Sequence, residues 1–166
     1  RDLHSFPTRR SSDLPDFQGY YPALEKVFAA RPEIFSHNVE CVKRISKRVR
    51  SQANWQRSLA VLKHSVDYGL LTKTGIMVGL GERKDEVIAT MQEVIDIGVK
   101  IFTIGQYLQP TKNHLPVARY VENEDFVAYK ELGLEMGFSV VESGSLVRSS
   151  YRSEEHTSEL QSRAYL

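Results

Sequence analysis

Cysteine is nearly missing from this sequence of 166 residues: Cys41 is the single one. One thiol excludes an internal disulfide and any paired-cysteine metal or cluster motif carried by this chain alone. Long apolar runs are missing too. No stretch approaches the roughly 18 residues of a membrane span, and the N-terminal residues hold no apolar core of a secretory signal. An excess of one charge is also lacking, because Lys+Arg 22 stands against Asp+Glu 21. A net +1 gives no reason to expect a nucleic-acid or membrane-surface partner. With 41% hydrophobic and 26% charged residues, the composition is that of one ordinary globular domain, expected in the cytosol.

Both ends lack periodicity. Residues 4–14 (HSFPTRRSSDL) and 152–162 (RSEEHTSELQS) fit neither helix nor strand spacing and are crowded with Ser, Arg, Glu and Thr. Each can be written codon by codon as a sequence resembling a common short-read sequencing adapter. Residues 1–14 and 152–166 are therefore expected to be non-native, disordered tails around a natural core at 15–151.

Within the core, Tyr21, Leu24, Val27 and Phe28 recur at helical spacing before Arg31-Pro32. Ile34 to Val39 then reads as a buried strand ending in polar residues. Trp55, Leu59, Leu62 and Val66 mark a helix stopped near Gly69, and Lys73 to Val78 a strand that turns at Gly79-Leu80-Gly81-Glu82. Val87, Ile88, Met91, Val94 and Ile95 give an amphipathic helix, and Ile101 to Ile104 another strand. A long loop, a helix over 126–136 and a strand over 138–141 complete the core. Strict alternation of this kind predicts an α/β fold with a parallel sheet, either doubly wound or part of a β/α barrel. In both, ligands gather at the carboxyl ends of the strands.

Three polar clusters fall where strands should end: Ser36 to Glu40, Gly79 to Glu82, and Gly105-Gln106-Tyr107. Asn38 and Glu40, two apart, offer an amide and a carboxylate suited to ribose hydroxyls. Taken alone they fit a turn cap and a solvated acid better than a ligand site. The glycines match neither a Walker loop nor a full dinucleotide fingerprint, and neither His37 nor His114 is assigned a catalytic role.

The blocks SHNVE (36–40), TKTGIMVGLGE (72–82), FTIGQYLQPTKNHLPVARY (102–120) and LVRSSY (146–151) resemble, in order and spacing, successive blocks of lipoyl synthases, enzymes of the radical S-adenosylmethionine (SAM) class. The Asn-x-Glu and G-I-M-V-G-L-G-E segments are also similar to biotin synthase, whereas 106–120 and 148–151 favour lipoyl synthase. Cys41, Ser51, Arg83 and Ser145 depart from the usual pattern.

The resemblance implies the C-terminal part of a partial β/α barrel of the TIM type. It also implies a sulfurtransferase that inserts two sulfur atoms at C6 and C8 of an octanoyl chain on a carrier-protein lysine. In the family those unactivated C–H bonds are attacked by a 5′-deoxyadenosyl radical, formed when a 4Fe–4S cluster cleaves SAM reductively. Two such clusters are held by six cysteines, three of them in C-x-x-x-C-x-x-C, all upstream of the part represented here. One serine completes the auxiliary cluster, which donates the sulfur; in Arg148-Ser149-Ser150-Tyr151 this points to Ser150, with Arg148 beside it. Asn38 and Glu40 are implied at the SAM ribose, Arg57 and Ser58 at its methionine carboxylate, and Gly79, Gly81 and Glu82 against adenine. Gln106, Tyr107 and His114 sit in a loop able to cover substrate. Implied partners are octanoylated carriers, namely the E2 domains of dehydrogenase complexes and the glycine-cleavage H protein, with flavodoxin or ferredoxin as reductant. No catalytic side chain is assigned. Without its cysteines the chain is expected to be inactive by itself, and the alternatives are a biotin-synthase-like sulfur-insertion enzyme or a SAM- or nucleotide-binding α/β module without catalysis.

Overall fold

The computed structural model describes residues 11–148. Five strands form one sheet in the order β1 (Ser11–Asp13), β2 (Ile34–Ser36), β3 (Thr72–Val78), β4 (Ile101–Gln106), β5 (Val140–Gly144), and every neighbouring pair is parallel. Spatial order follows chain order, so there is no switch point of the doubly wound kind, and the open choice resolves to the partial β/α barrel.

Between the strands run α1 (Tyr21–Ala29), α2 (Ser46–Val49), α3 (Trp55–Asp67), α4 (Lys84–Asp96) and α5 (Asn123–Met136). Asn54 caps α3 by accepting from the Arg57 amide at 3.0 Å. Glu86 performs the reciprocal service for α4, accepting from the Arg83 amide at 2.8 Å. Gly98 and Gly137, at φ 96° and 105°, end α4 and α5 in the left-handed region that side chains avoid.

Strand alternation sorts the two faces of the sheet. Ile76, Val78, Phe102, Ile104 and Val141 pack with Leu62, Val87, Met91 and Phe126 of the helices in the main core. On the opposite face Ile34, Ile101 and Val140 make a separate apolar layer, above which small residues, Gly75, Thr103 and Gly105, leave space toward the strand ends. Sheet and helices thus bury one face fully and leave the other for a site.

Several elements differ from the sequence expectation: α2 has no counterpart in it, α5 starts at Asn123 and β5 runs Val140–Gly144. Ser11–Asp13, inside the segment expected to be a tail, pairs as a parallel strand with β2. The strand predicted over 34–39 stops at Ser36; beyond it Glu40 bridges Ile76 singly, its amide donating to the Gly75 carbonyl at 3.2 Å.

Candidate functional site

A cavity of about 240 Å³ opens at the carboxyl ends of β3 and β4. Asn38, Glu40, Gln106 and Arg148 bring polar groups to it, and Gly75, Met77, Thr103 and Gly105 form its strand wall. The two glycines make the wall possible. A Cβ on Gly75 would lie 2.0 Å from Thr103 Oγ1, and one on Gly105 would lie 2.3 Å from the Val147 carbonyl oxygen. Gly105 therefore lets the backbone after β5 fold across β4, which carries Arg148 to the rim. There Arg148 Nη1 donates to the Val147 carbonyl at 2.8 Å.

Asn38 and Glu40 meet as the strand-end spacing suggested. Asn38 Oδ1 is buried and has no hydrogen-bond partner, an uncompensated cost unless a ligand donor fills it. Glu40 holds φ 72°, a strained conformation for a residue with a side chain. An orphaned acceptor beside a strained acid is the pattern of a prepared binding site.

The other sequence candidates scatter. Ser58 joins Asn38 and Glu40 in a smaller pocket behind the first. Arg57 lines neither of these pockets and is engaged by Asp16, which does line the smaller one: its Nε lies 2.7 Å from Asp16 Oδ2. Burial would raise the Asp16 carboxyl, but hydrogen bonds from the Gln18 amide and from Arg57 outweigh it and hold the carboxyl below its usual range.

Glu82 is buried and turned back into its own loop, accepting from the amides of Gly79 at 2.8 Å and Leu80 at 2.9 Å. Gly79 admits the next loop, since a Cβ there would stand 2.3 Å from Gln106 Nε2 and 2.6 Å from the Arg119 carbonyl. Neither Gly79, Gly81 nor Glu82 lines the cavity.

Gln106 spends its amide on that loop, donating to the carbonyls of Tyr107 (3.0 Å) and Arg119 (3.2 Å) and accepting from the Val121 amide (2.9 Å). Tyr107 donates its hydroxyl to Leu115 at 2.8 Å. His114 is exposed, with Thr111 Oγ1 2.8 Å from its Nδ1. Ser150 lies outside the described residues.

Burial pushes the Cys41 thiol up to about 12, helped by the Glu40 and Glu82 carboxylates, so it stays protonated and inert. Among the described residues no group of three or more His, Cys, Asp or Glu side chains is placed to hold a metal ion. The described donors by themselves do not make up the ligand set of an iron–sulfur cluster.

No family model matches the chain. It is 55% identical over 145 residues to the lipoyl synthase of Rubrobacter xylanophilus, covering 86% of this chain and 45% of that protein. With the lipoyl synthase of Bacteroides fragilis it shares 54% over 143 residues, and with the mitochondrial lipoyl synthase of Nematostella vectensis 50% over 144. The chain belongs to the lipoyl synthase family. It spans about half the length of the curated relatives it matches.

The sequence points to Asn38, Glu40, Gln106 and Arg148 of the cavity but not to Gly75, Thr103 or Gly105. Their signal was available: a glycine inside a strand marks close approach by backbone or ligand. No helix among the described residues is long and apolar enough to cross a membrane.

Proposed function

We propose that this chain is the SAM-binding and substrate-facing part of a lipoyl synthase, an enzyme that inserts sulfur at C6 and C8 of a protein-bound octanoyl-lysine. Identity of 55% over 86% of the chain to a protein of that name supports this most. Asn38 and Glu40 would hold the SAM ribose: Asn38 Oδ1 accepts a hydroxyl proton it lacks in the free chain, and Glu40 is aimed into the cavity by its strained backbone. Ser58, behind them, is the nearer candidate for the methionine end. Arg57 would serve only after exchanging Asp16 for a ligand carboxylate. Gly79, Gly81 and Glu82 would bound the adenine side through the shape of their turn.

When bound, SAM would supply the radical chemistry and iron–sulfur clusters the electron and the sulfur; from this chain Ser150 would be a cluster ligand, the cysteines being required from elsewhere because Cys41 is the single one here. The carriers would be octanoylated E2 domains and the H protein, the reductant flavodoxin or ferredoxin, and the compartment the cytosol. Arg148, beside the cavity, would face the substrate, and the loop clamped by Gln106 and Tyr107, with His114 on its outside, would cover it.

Titration of the full chain with SAM, followed by the amide resonances of Asn38, Glu40 and Gly105, tests the binding assignment. Those resonances should move with SAM and stay still with methionine alone; stationary resonances would end the assignment of this cavity to SAM. The isolated chain should leave an octanoyl-lysyl peptide unchanged by mass spectrometry, even with SAM, iron, sulfide and reductant. Sulfur-containing product would overturn the dependence on cysteines from elsewhere.

A further inference from the structure

Charge is distributed unevenly along this nearly neutral chain. Residues 41–66 hold seven Lys and Arg and no Asp or Glu, which leaves fifteen bases against twenty-one acids in the remainder. Three of the seven are neutralised: Arg44 by Glu86 and Arg57 by Asp16, each at 2.7 Å, and Lys63 by Asp67 at 2.9 Å. The other four, Lys43, Lys47, Arg48 and Arg50, are exposed and make no ion pair with any described residue.

Two of these four, Lys43 and Lys47, edge with the paired Arg44 and Arg57 a groove of about 560 Å³ between α2 and the start of α3, with Trp55 in its wall; Arg48 and Arg50 belong to the same short segment but do not line it. The groove also adjoins the site, for Ser46 and Ala53 line both it and the small pocket that holds Asn38, Glu40 and Ser58. Whatever docks there sits beside the cavity.

We propose that the groove along α2 is the docking surface for an acidic face of the protein that carries the acylated lysine. The inference rests on the sulfur-insertion assignment above and adds where the carrier is held. Chemistry on the surface selects a protein over other polyanions. Nucleic acid calls for a broad basic field and exposed stacking rings; here the rest of the chain is acidic in balance, and Trp55 is buried with its Nε1 donating to Glu93 at 2.9 Å. A membrane surface calls for exposed apolar anchors beside the bases, and none of the exposed large hydrophobic residues falls within 41–66. A compact acidic patch on a folded domain matches four cations, on one short segment, that pair with no described residue.

The test measures binding of the full chain to octanoylated glycine-cleavage H protein by calorimetry at low and moderate salt. The comparison is with a Lys43→Glu/Lys47→Glu/Arg48→Glu variant and a control carrying Lys26→Glu and Lys130→Glu on α1 and α5, both exposed. Binding should weaken with salt, fall at least about tenfold in the triple variant and change little in the control. Equal loss in both variants, unchanged binding in the triple variant, no binding by the parent chain, or tighter binding to a single-stranded RNA oligonucleotide than to the carrier would each overturn the proposal. Circular dichroism and Trp55 fluorescence report folding; because all three side chains are exposed, a triple variant that unfolds would show that the segment is structural and would also overturn it. The SAM-induced shifts at Asn38 and Glu40 are read on the same variant. Their persistence with lost carrier binding supports docking at the groove, whereas absent shifts in the parent chain remove the SAM assignment and leave the docking result standing.

Discussion

Two strand-end turns lie side by side in this sheet, and they treat their polar groups in opposite ways. After β3, Glu82 is buried but satisfied, taking two backbone amides within 2.9 Å, and its neighbours Gly79 and Gly81 adopt positive φ at no cost to a side chain. After β2, Asn38 has a buried oxygen without a partner and Glu40 a side chain at φ 72°. Both turns read alike in sequence as small and polar residues at the end of a strand. One has its hydrogen bonds complete and holds the loop from Gln106 to Val121; the other is left incomplete, as a surface shaped for a ligand is.

The largest effect that sharpens this contrast is expected from Glu82→Ala, which strands two buried amides and should cost about 2–4 kcal/mol in urea unfolding. An effect below half of that would make the first turn no more structural than the second. Gly79→Ala should follow at about 2–3 kcal/mol, because its Cβ meets the Arg119 carbonyl and Gln106 at a backbone angle side chains avoid.

In the second turn, Asn38→Ala should leave stability within about 0.5 kcal/mol, since it removes an unpaired acceptor. Glu40→Gly should raise stability by about 0.5–1 kcal/mol by releasing strain. Both should weaken SAM-induced shifts, and a variant that loses stability instead would mean that the second turn also serves the fold.

Acid gives a smaller effect. The Arg44 guanidinium, then the Arg83 amide, hold the Glu86 carboxyl down to about 2. A depressed carboxyl stabilises the fold fully above its unfolded value of 4.5 and ceases to as pH falls through about 2. Acid unfolding curves of Arg44→Ala should therefore show a shallower loss across that window than the parent chain. Smallest is Cys41: with its thiol up at about 12, iodoacetamide at neutral pH should label it only after unfolding.

Periodicity carried most of the fold. Trp55, Leu59 and Leu62 at helical spacing, and the apolar stretches Ile76 to Val78 in β3 and Ile101-Phe102 in β4, were legible because their side chains are buried in a regular pattern. The short strand β1 and the four-residue α2 were not, since neither is long enough to show a period. For the site, strand-end logic points to Asn38, Glu40 and Glu82 and the family resemblance adds Arg57; the structure sets Asn38 and Glu40 at the cavity, Glu82 in its own loop and Arg57 against Asp16. A carboxylate or guanidinium in a sequence does not show which neighbour it will satisfy, and here backbone amides took the one and Asp16 the other.

The sequence by itself determined the alternation of strand and helix, the family blocks and the lack of cysteine ligands, because these follow from local spacing and residue identity. Only the tertiary structure decided that the strands run in chain order, that Gly75 and Gly105 open a cavity under Val147, and that one strand end is satisfied while its neighbour is not. Those outcomes depend on which groups residues far apart in the chain bring within hydrogen-bond reach of one another.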